Sequence, residues 1–241
     1  MLGRAPGLGG GSVPGMPPRA PLVHLHDQAL PGPDFTRLWR RVRALGRERL
    51  RQTYQTTFWF PLGEPTNVVE EIILTLRPRV PVRRGLAGVE WWLSRMRTTD
   101  VRVDFHQDRD EKLALSGGPL VHPRFTSLLF MNRVRGGALA VTRALPCEDN
   151  PSLAPDTDAF DLVAPRPNRF AYFPGDLTHG VLDARNQIPD GKLPGPSRLR
   201  VTLVMNWWTQ RPTDVPTFPE AGVYRSLAPR AVRPTAAARR R

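Results

Sequence analysis

The sequence predicts a mainly β domain, a sandwich or barrel, with helices on its N-terminal side. Two observations carry this. After residue 99, short apolar runs of strand length alternate with turn signals such as Gly117-Gly118, Gly136-Gly137, Pro174-Gly175 and Asp190-Gly191. Many short strands at fairly regular spacing are the mark of a closed or two-layered β architecture. Before residue 99, by contrast, apolar residues recur at helical spacing. The 241 residues suffice for one sizeable core, or a core with extensions.

In chain order, residues 1–33 are rich in Gly and Pro and are expected to be flexible. Asp34 reads as the N-cap of a helix over 35–55, with Leu38, Val42, Leu45 and Leu50 along one face. A strand follows over 57–62 and a helix over 65–75, the latter with Pro65 near its first turn and Val68, Ile72 and Leu76 on one side. Val89 to Arg97 reads as a further short helix whose Trp91 and Trp92 pack in or beside the core. Strands are predicted over 101–105, 125–132, 138–142, 160–163, 169–173, 180–182 and 199–208. The expected organisation is a flexible N-terminus (1–33), a helical support region of the same domain (34–98), a β core (99–211) and a Pro/Arg-rich tail (212–241).

The net charge of +13 raises nucleic acid or an anionic surface as a partner. Arginine usage counts against it. Lys112 and Lys192 are the only lysines among 35 basic residues, and the arginines are scattered in small clusters such as Arg40-Arg41, Arg83-Arg84 and Arg239 to Arg241. A solvated basic surface is expected. No apolar run approaches the ~18–20 residues of a membrane helix, and the N-terminus has no apolar segment of a secretory signal. Cys147 is the single cysteine and sits in a polar stretch, so it reads as an incidental thiol in a reducing, cytoplasmic setting.

Two of the five histidines stand in contexts that matter. His106 and Asp108 follow an apolar run, and residues i and i+2 of a strand share a face. They can offer one imidazole nitrogen and one carboxylate oxygen to a single ion. His179 lies 71 residues beyond Asp108 and supplies a second imidazole. Two imidazoles and one carboxylate on one face make the facial triad of non-haem iron(II) oxygenases, with positions left open for co-substrate and O₂. Asp110 and Glu111 are rival carboxylates. Downstream, Arg200 and Thr202 share a strand face: a guanidinium fork binds a carboxylate bidentately and a neighbouring hydroxyl adds a hydrogen bond. Arg198 has the same strand parity and is the rival anchor. His24-x-His26-Asp27 is a weaker metal candidate, and His122 reads as a loop residue.

These residues together resemble the 2-oxoglutarate/Fe(II)-dependent oxygenase superfamily, whose pattern is His-x-Asp, a distal His, then Arg or Lys followed by x-Ser/Thr. The prolyl 4-hydroxylase-like branch is the nearest flavour, through Arg124 to Asn132 and the Gly136-Gly137 that opens the next strand. The resemblance covers roughly residues 99–210. It implies a double-stranded β-helix, a jelly-roll or cupin-like core, with the N-terminal helices packed outside. It implies Fe(II) on His106, Asp108 and His179, and 2-oxoglutarate anchored by Arg200 with Thr202. It further implies O₂ as oxidant, with ascorbate as an optional addition. The activity implied is hydroxylation of a peptidyl residue or small molecule, with release of succinate and CO₂. Two departures stand out. Phe130 occupies a position where the family often has a co-substrate-binding tyrosine, and residues 186–197 insert a Pro/Gly-rich loop before Arg200. Asn206 stands where the nucleobase demethylases carry a second arginine, which again disfavours nucleic acid. Phe130, Leu129, Val181 and Trp207 are expected to enclose the site. The competing readings are a cupin-type metal enzyme that does not use 2-oxoglutarate and a non-catalytic binding module on the same fold. The cupin-type reading leaves Arg200 and Thr202 without a role, and the presence of all three ligands counts against the binding module.

Overall fold

Strand β9 (Leu199–Trp208) is the backbone of the molecule. It is ten residues long, all but its first residue buried, and it pairs antiparallel with β3 (Gly88–Arg97) on one side and β4 (Phe125–Phe130) on the other. The computed structural model describes residues 19–46, 56–82, 84–101, 105–146, 159–196 and 198–229. Around β9 the large sheet adds β7 (Arg169–Pro174), β1 (His24–His26) and β2 (Phe58–Phe60), in the order β1-β7-β4-β9-β3-β2. A second sheet of β6 (Asp161–Val163), β5 (Leu139–Thr142) and β8 (Thr178–Val181) faces it. The two antiparallel sheets form a double-stranded β-helix, the architecture expected from the sequence.

Strand alternation sends the residues of β9 to two different cores. Val201, Leu203, Met205 and Trp207 point outward, into the cluster filled by the helices. There α1 (Gly32–Ala44) contributes Leu38 and Val42, and α2 (Val68–Leu76) contributes Ile72, Ile73 and Leu76, all within 1% of full burial. Burying each such side chain stabilises the fold by about 1.5–3 kcal/mol. Helix α2 starts where Asn67 Oδ1 accepts from the amides of Val69 and Glu70. Val204, by contrast, points inward with Leu128, Phe130, Leu139, Val141, Ala171 and Phe173, in the cluster between the sheets. Arg200, Thr202 and Asn206 share that inward parity.

Several expectations are corrected. Val89 to Arg97 forms strand, not helix: every residue of β3 pairs with β9. Its apolar residues do not alternate cleanly because both faces are covered, Trp91 and Leu93 by the helices and Trp92 by the inner cluster. Leu129 and Trp207, expected at the site, lie on the helix side of their strands, while Phe130 faces inward. Helix α1 is preceded by Pro31, with Asp34 already inside its first turn, where a carboxylate suits the helix dipole. Its described part ends at Ala44, and residues 47–55 of the expected helix lie outside the described residues. Residues 1–18, 147–158 and 230–241 also lie outside them, and with these most of the N-terminus expected to be flexible, Cys147 and the last arginines. Residues 24–26 of that N-terminus are strand, with His24 stacked 4.9 Å from Tyr172. In the C-terminal region, Phe218, Tyr224 and Leu227 are buried in the helix-side cluster.

Candidate metal centre

His106 and His179 face each other across an isolated antiparallel bridge. The amide of His106 donates to the carbonyl of His179 at 3.0 Å, and that of His179 returns to His106 at 2.9 Å. Side chains directly opposite in such a pair lie on one face, and the two imidazoles stand 4.5 Å apart, centroid to centroid. Asp108, two residues on, completes the group: His106 Nε2 is 3.6 Å from its Oδ1 and His179 Nε2 is 3.5 Å from its Oδ2. One donor atom from each of the three lies within 4.8 Å of the others, the only such group of three among the described residues.

The surroundings fix the state of two of the three donors. Thr126 Oγ1 donates to Asp108 Oδ2 at 2.7 Å, which orients the carboxylate. Burial alone would raise the Asp108 pKa, but the two imidazoles and the Thr126 hydroxyl outweigh it and hold the carboxyl well below the usual range. Burial pushes His179 down to about 4 despite the attraction of Asp108. Its Nδ1 faces the carbonyl of Leu177 at 3.1 Å, so the proton of the neutral ring sits there and the Nε2 lone pair faces Asp108. An ionised carboxylate and a neutral imidazole are the forms that ligate a divalent cation. Gly180 allows the close approach behind His179: a Cβ there would stand 2.9 Å from the ring of Phe105, the residue before His106.

The rival carboxylates are engaged elsewhere. Asp110 accepts from the Thr213 amide and hydroxyl and from the Leu113 amide, and Glu111 pairs with Arg109. Asp27 binds Arg169, and His26 as well as His24 stacks on Tyr172, so that motif ties β1 to β7. His122, read from sequence as a loop residue, brings its Nδ1 within 2.7 Å of the carbonyl of Asp108.

Arg200 and Arg198 are separated by burial. Arg198 is exposed, whereas Arg200 is 1% exposed. Its Nε donates to the carbonyl of Gly137 at 2.9 Å and its Nη1 to Thr202 Oγ1 at 3.3 Å, and the guanidinium lies 5.1 Å over the Phe130 ring. Among the described residues no carboxylate pairs with it and its Nη2 has no hydrogen-bond partner, and burial lowers its pKa to about 10. Gly137 has φ +68°, and a Cβ there would stand 3.2 Å from Arg200 Cδ, so only glycine gives this carbonyl to the guanidinium. A buried cation without an anion is costly, and it fits a ligand that brings a carboxylate. The donor set of His106, Asp108 and His179 likewise fits Fe(II).

No family model matches the chain, and no curated protein matches it. Solved structures that it is similar to include a prolyl-4-hydroxylase from Pseudomonas putida, at 14% identity over 79% of this chain and 89% of that one, TM-score 0.42. HygX from Streptomyces hygroscopicus, solved with nickel and 2-oxoglutarate bound, is 16% identical over 82% and 83%, TM-score 0.45. A prolyl hydroxylase from Trichoplax adhaerens, solved with a hypoxia inducible factor peptide fragment, is 14% identical over 78% and 84%, TM-score 0.43. The chemistry assigned below rests on this chain's own side chains.

Proposed function

We propose that the protein is a 2-oxoglutarate- and Fe(II)-dependent oxygenase that hydroxylates a small molecule or peptidyl residue. The observation that carries this is the buried guanidinium of Arg200, with no carboxylate against it among the described residues, on the same inner face as the His106, Asp108 and His179 donors. A cupin-type metal site accounts for the three donors and leaves Arg200 as an unexplained cost. A dicarboxylate accounts for both.

In this reading His106, Asp108 and His179 hold the metal. Asp108 contributes the charge, and Leu177 and Thr126 fix the directions of His179 and Asp108. Arg200 and Thr202 take the distal carboxylate of 2-oxoglutarate, with the Phe130 ring and the backbone of Gly137 keeping the guanidinium in place. Iron with 2-oxoglutarate and O₂ supplies the oxidising power; the chain supplies orientation and a dry enclosure. Leu128, Phe130, Leu139, Val204 and the half-buried Trp92 exclude water from the inner face.

The test is the visible spectrum of the anaerobic protein with Fe(II) and 2-oxoglutarate. A metal-to-ligand charge-transfer band is expected, lost in His106→Ala and weakened in Arg200→Met. Iron binding with no band would refute the co-substrate assignment and favour the cupin-type chemistry. No iron binding would refute the metal assignment.

A further inference from the structure

Glu90 of β3, Asn206 of β9 and Thr126 of β4 stand side by side on the inner face, in register across three neighbouring strands. Thr126 is the residue that orients Asp108. With strands about 4.8 Å apart, Glu90 lies about 10 Å from Thr126. The row therefore leads from the metal donors to a second carboxylate on the same face.

Two features of this row ask for a donor. Asn206 is 2% exposed and its Oδ1 has no hydrogen-bond partner among the described residues. Glu90 accepts from the indole N–H of Trp208 at 3.2 Å and bonds the Thr57 hydroxyl. A carboxylate has about four acceptor positions, so capacity remains. The charged groups that act on Glu90 are Asp108 and Asp110, both anions. Although the chain carries a net +13, none of these three carboxylates pairs with an arginine or lysine among the described residues. 2-Oxoglutarate presents acceptors at both ends and cannot supply the donor. Water would answer Asn206 and leave the charge of Glu90 unmatched wherever its carboxyl is ionised. Indoles flank the position as well: Trp59 opposite Glu90 on β2, Trp208 two residues beyond Asn206, and half-buried Trp92 two residues beyond Glu90. Indole faces attract cations.

We propose that Glu90 and Asn206 receive a cationic, hydrogen-bond-donating group of the prime substrate, an ammonium or a guanidinium, and so select a basic substrate. The inference rests on the oxygenase reading for what happens to that substrate, and concerns recognition alone. The positive group sits on the β3 side of the face, and the carbon to be oxidised lies toward Asp108.

The experiment is calorimetric titration with Nα-acetyl-arginine amide and Nα-acetyl-lysine amide against their neutral twins, the citrulline and norleucine amides. It is run on the metal-free protein and on the anaerobic protein with Fe(II) and 2-oxoglutarate. At least one cation is expected to bind about tenfold or more tightly than its twin. Glu90→Gln is expected to erase that preference, Glu90→Asp to restore part of it, and Asn206→Leu to weaken cation binding with Glu90 in place. Equal affinity for charged and neutral probes, no binding of either cation at millimolar concentration, or a preference untouched by Glu90→Gln overturns the inference. Because binding is read directly, a missing charge-transfer band would sink the oxygenase reading and leave the cation preference to stand or fall by itself.

Discussion

Replacing Glu90 by glutamine tests the inner face without any ligand. Burial, with the Asp108 and Asp110 carboxylates adding to it, pushes the Glu90 carboxyl from 4.5 up to about 7, against the opposing bonds from Thr57 and Trp208. The folded state therefore binds a proton more tightly than the unfolded chain. Its stability is greatest below about pH 4.5, falls as pH rises between the two values, and levels off above about 7. Moving a carboxyl over that interval corresponds to about 3 kcal/mol. For a chain of this size each kcal/mol is worth about 2–4 °C, so the expected loss is about 6–12 °C in Tm. Glutamine has the same shape and does not titrate. The assay is thermal unfolding of metal-free wild type and Glu90→Gln from about pH 5 to 8, read as the difference between the two. That difference cancels every titrating group that does not interact with Glu90. The variant is expected to melt near wild type at the acid end and above it at the alkaline end. With metal bound, the positive charge beside Asp108 should narrow the gap. Parallel melting curves across the whole range would refute the placement of a desolvated carboxylate at this position.

Three further outcomes follow from the site. Arg200→Met removes a buried charge that no anion balances among the described residues, so the metal-free protein should be at least as stable as wild type, while 2-oxoglutarate binding weakens by about 10–100-fold; dissociation constants and melting curves check both. Fe(II) at about 100 times its dissociation constant should stabilise the fold by about 2.7 kcal/mol, and Asp108→Ala should abolish that gain in a thermal-shift titration. Gly180→Ala drives a methyl to within 2.9 Å of the Phe105 ring and should loosen the His106–His179 bridge, seen as weaker metal binding with the Arg200 side of the site unaffected.

The candidate metal donors were legible because the chemistry needs particular residue types, and the chain has few of them. With five histidines, the His-x-Asp pair and a distal histidine stand out. What the sequence did not show is how they meet. Residues 102–104 of the strand expected over 101–105 lie outside the described residues, and the contact that aligns His106 with His179 is an isolated bridge between residues 73 positions apart. In the sequence Arg200 is preferred over Arg198 because Thr202 and an apolar run follow it; the two share a strand parity, and in the fold Arg200 is the buried one, against Gly137 and Phe130.

Glu90 was missed for a related reason. In Gly-Val-Glu-Trp-Trp-Leu-Ser-Arg-Met-Arg both faces are covered, so the apolar residues fill positions of either parity and mimic a helical stripe. Read as a helix, Glu90 is a solvated charge on a support element. Read as a strand paired with β9, it stands next to Asn206, because antiparallel register fixes Glu90 opposite that residue once Gly88 is opposite Trp208. The assignment of one element thus decides whether the site ends at the metal donors or extends across three strands. The same register also gives the extension a direction: an acceptor-rich end at Glu90 and Asn206, and a cationic end at Arg200 six residues along β9. At a rise of about 3.4 Å per residue these ends are about 20 Å apart along the strand. A dicarboxylate and a basic substrate would then meet the same inner face at opposite electrostatic poles, with Asp108 held by Thr126 at the level of Glu90 and Asn206.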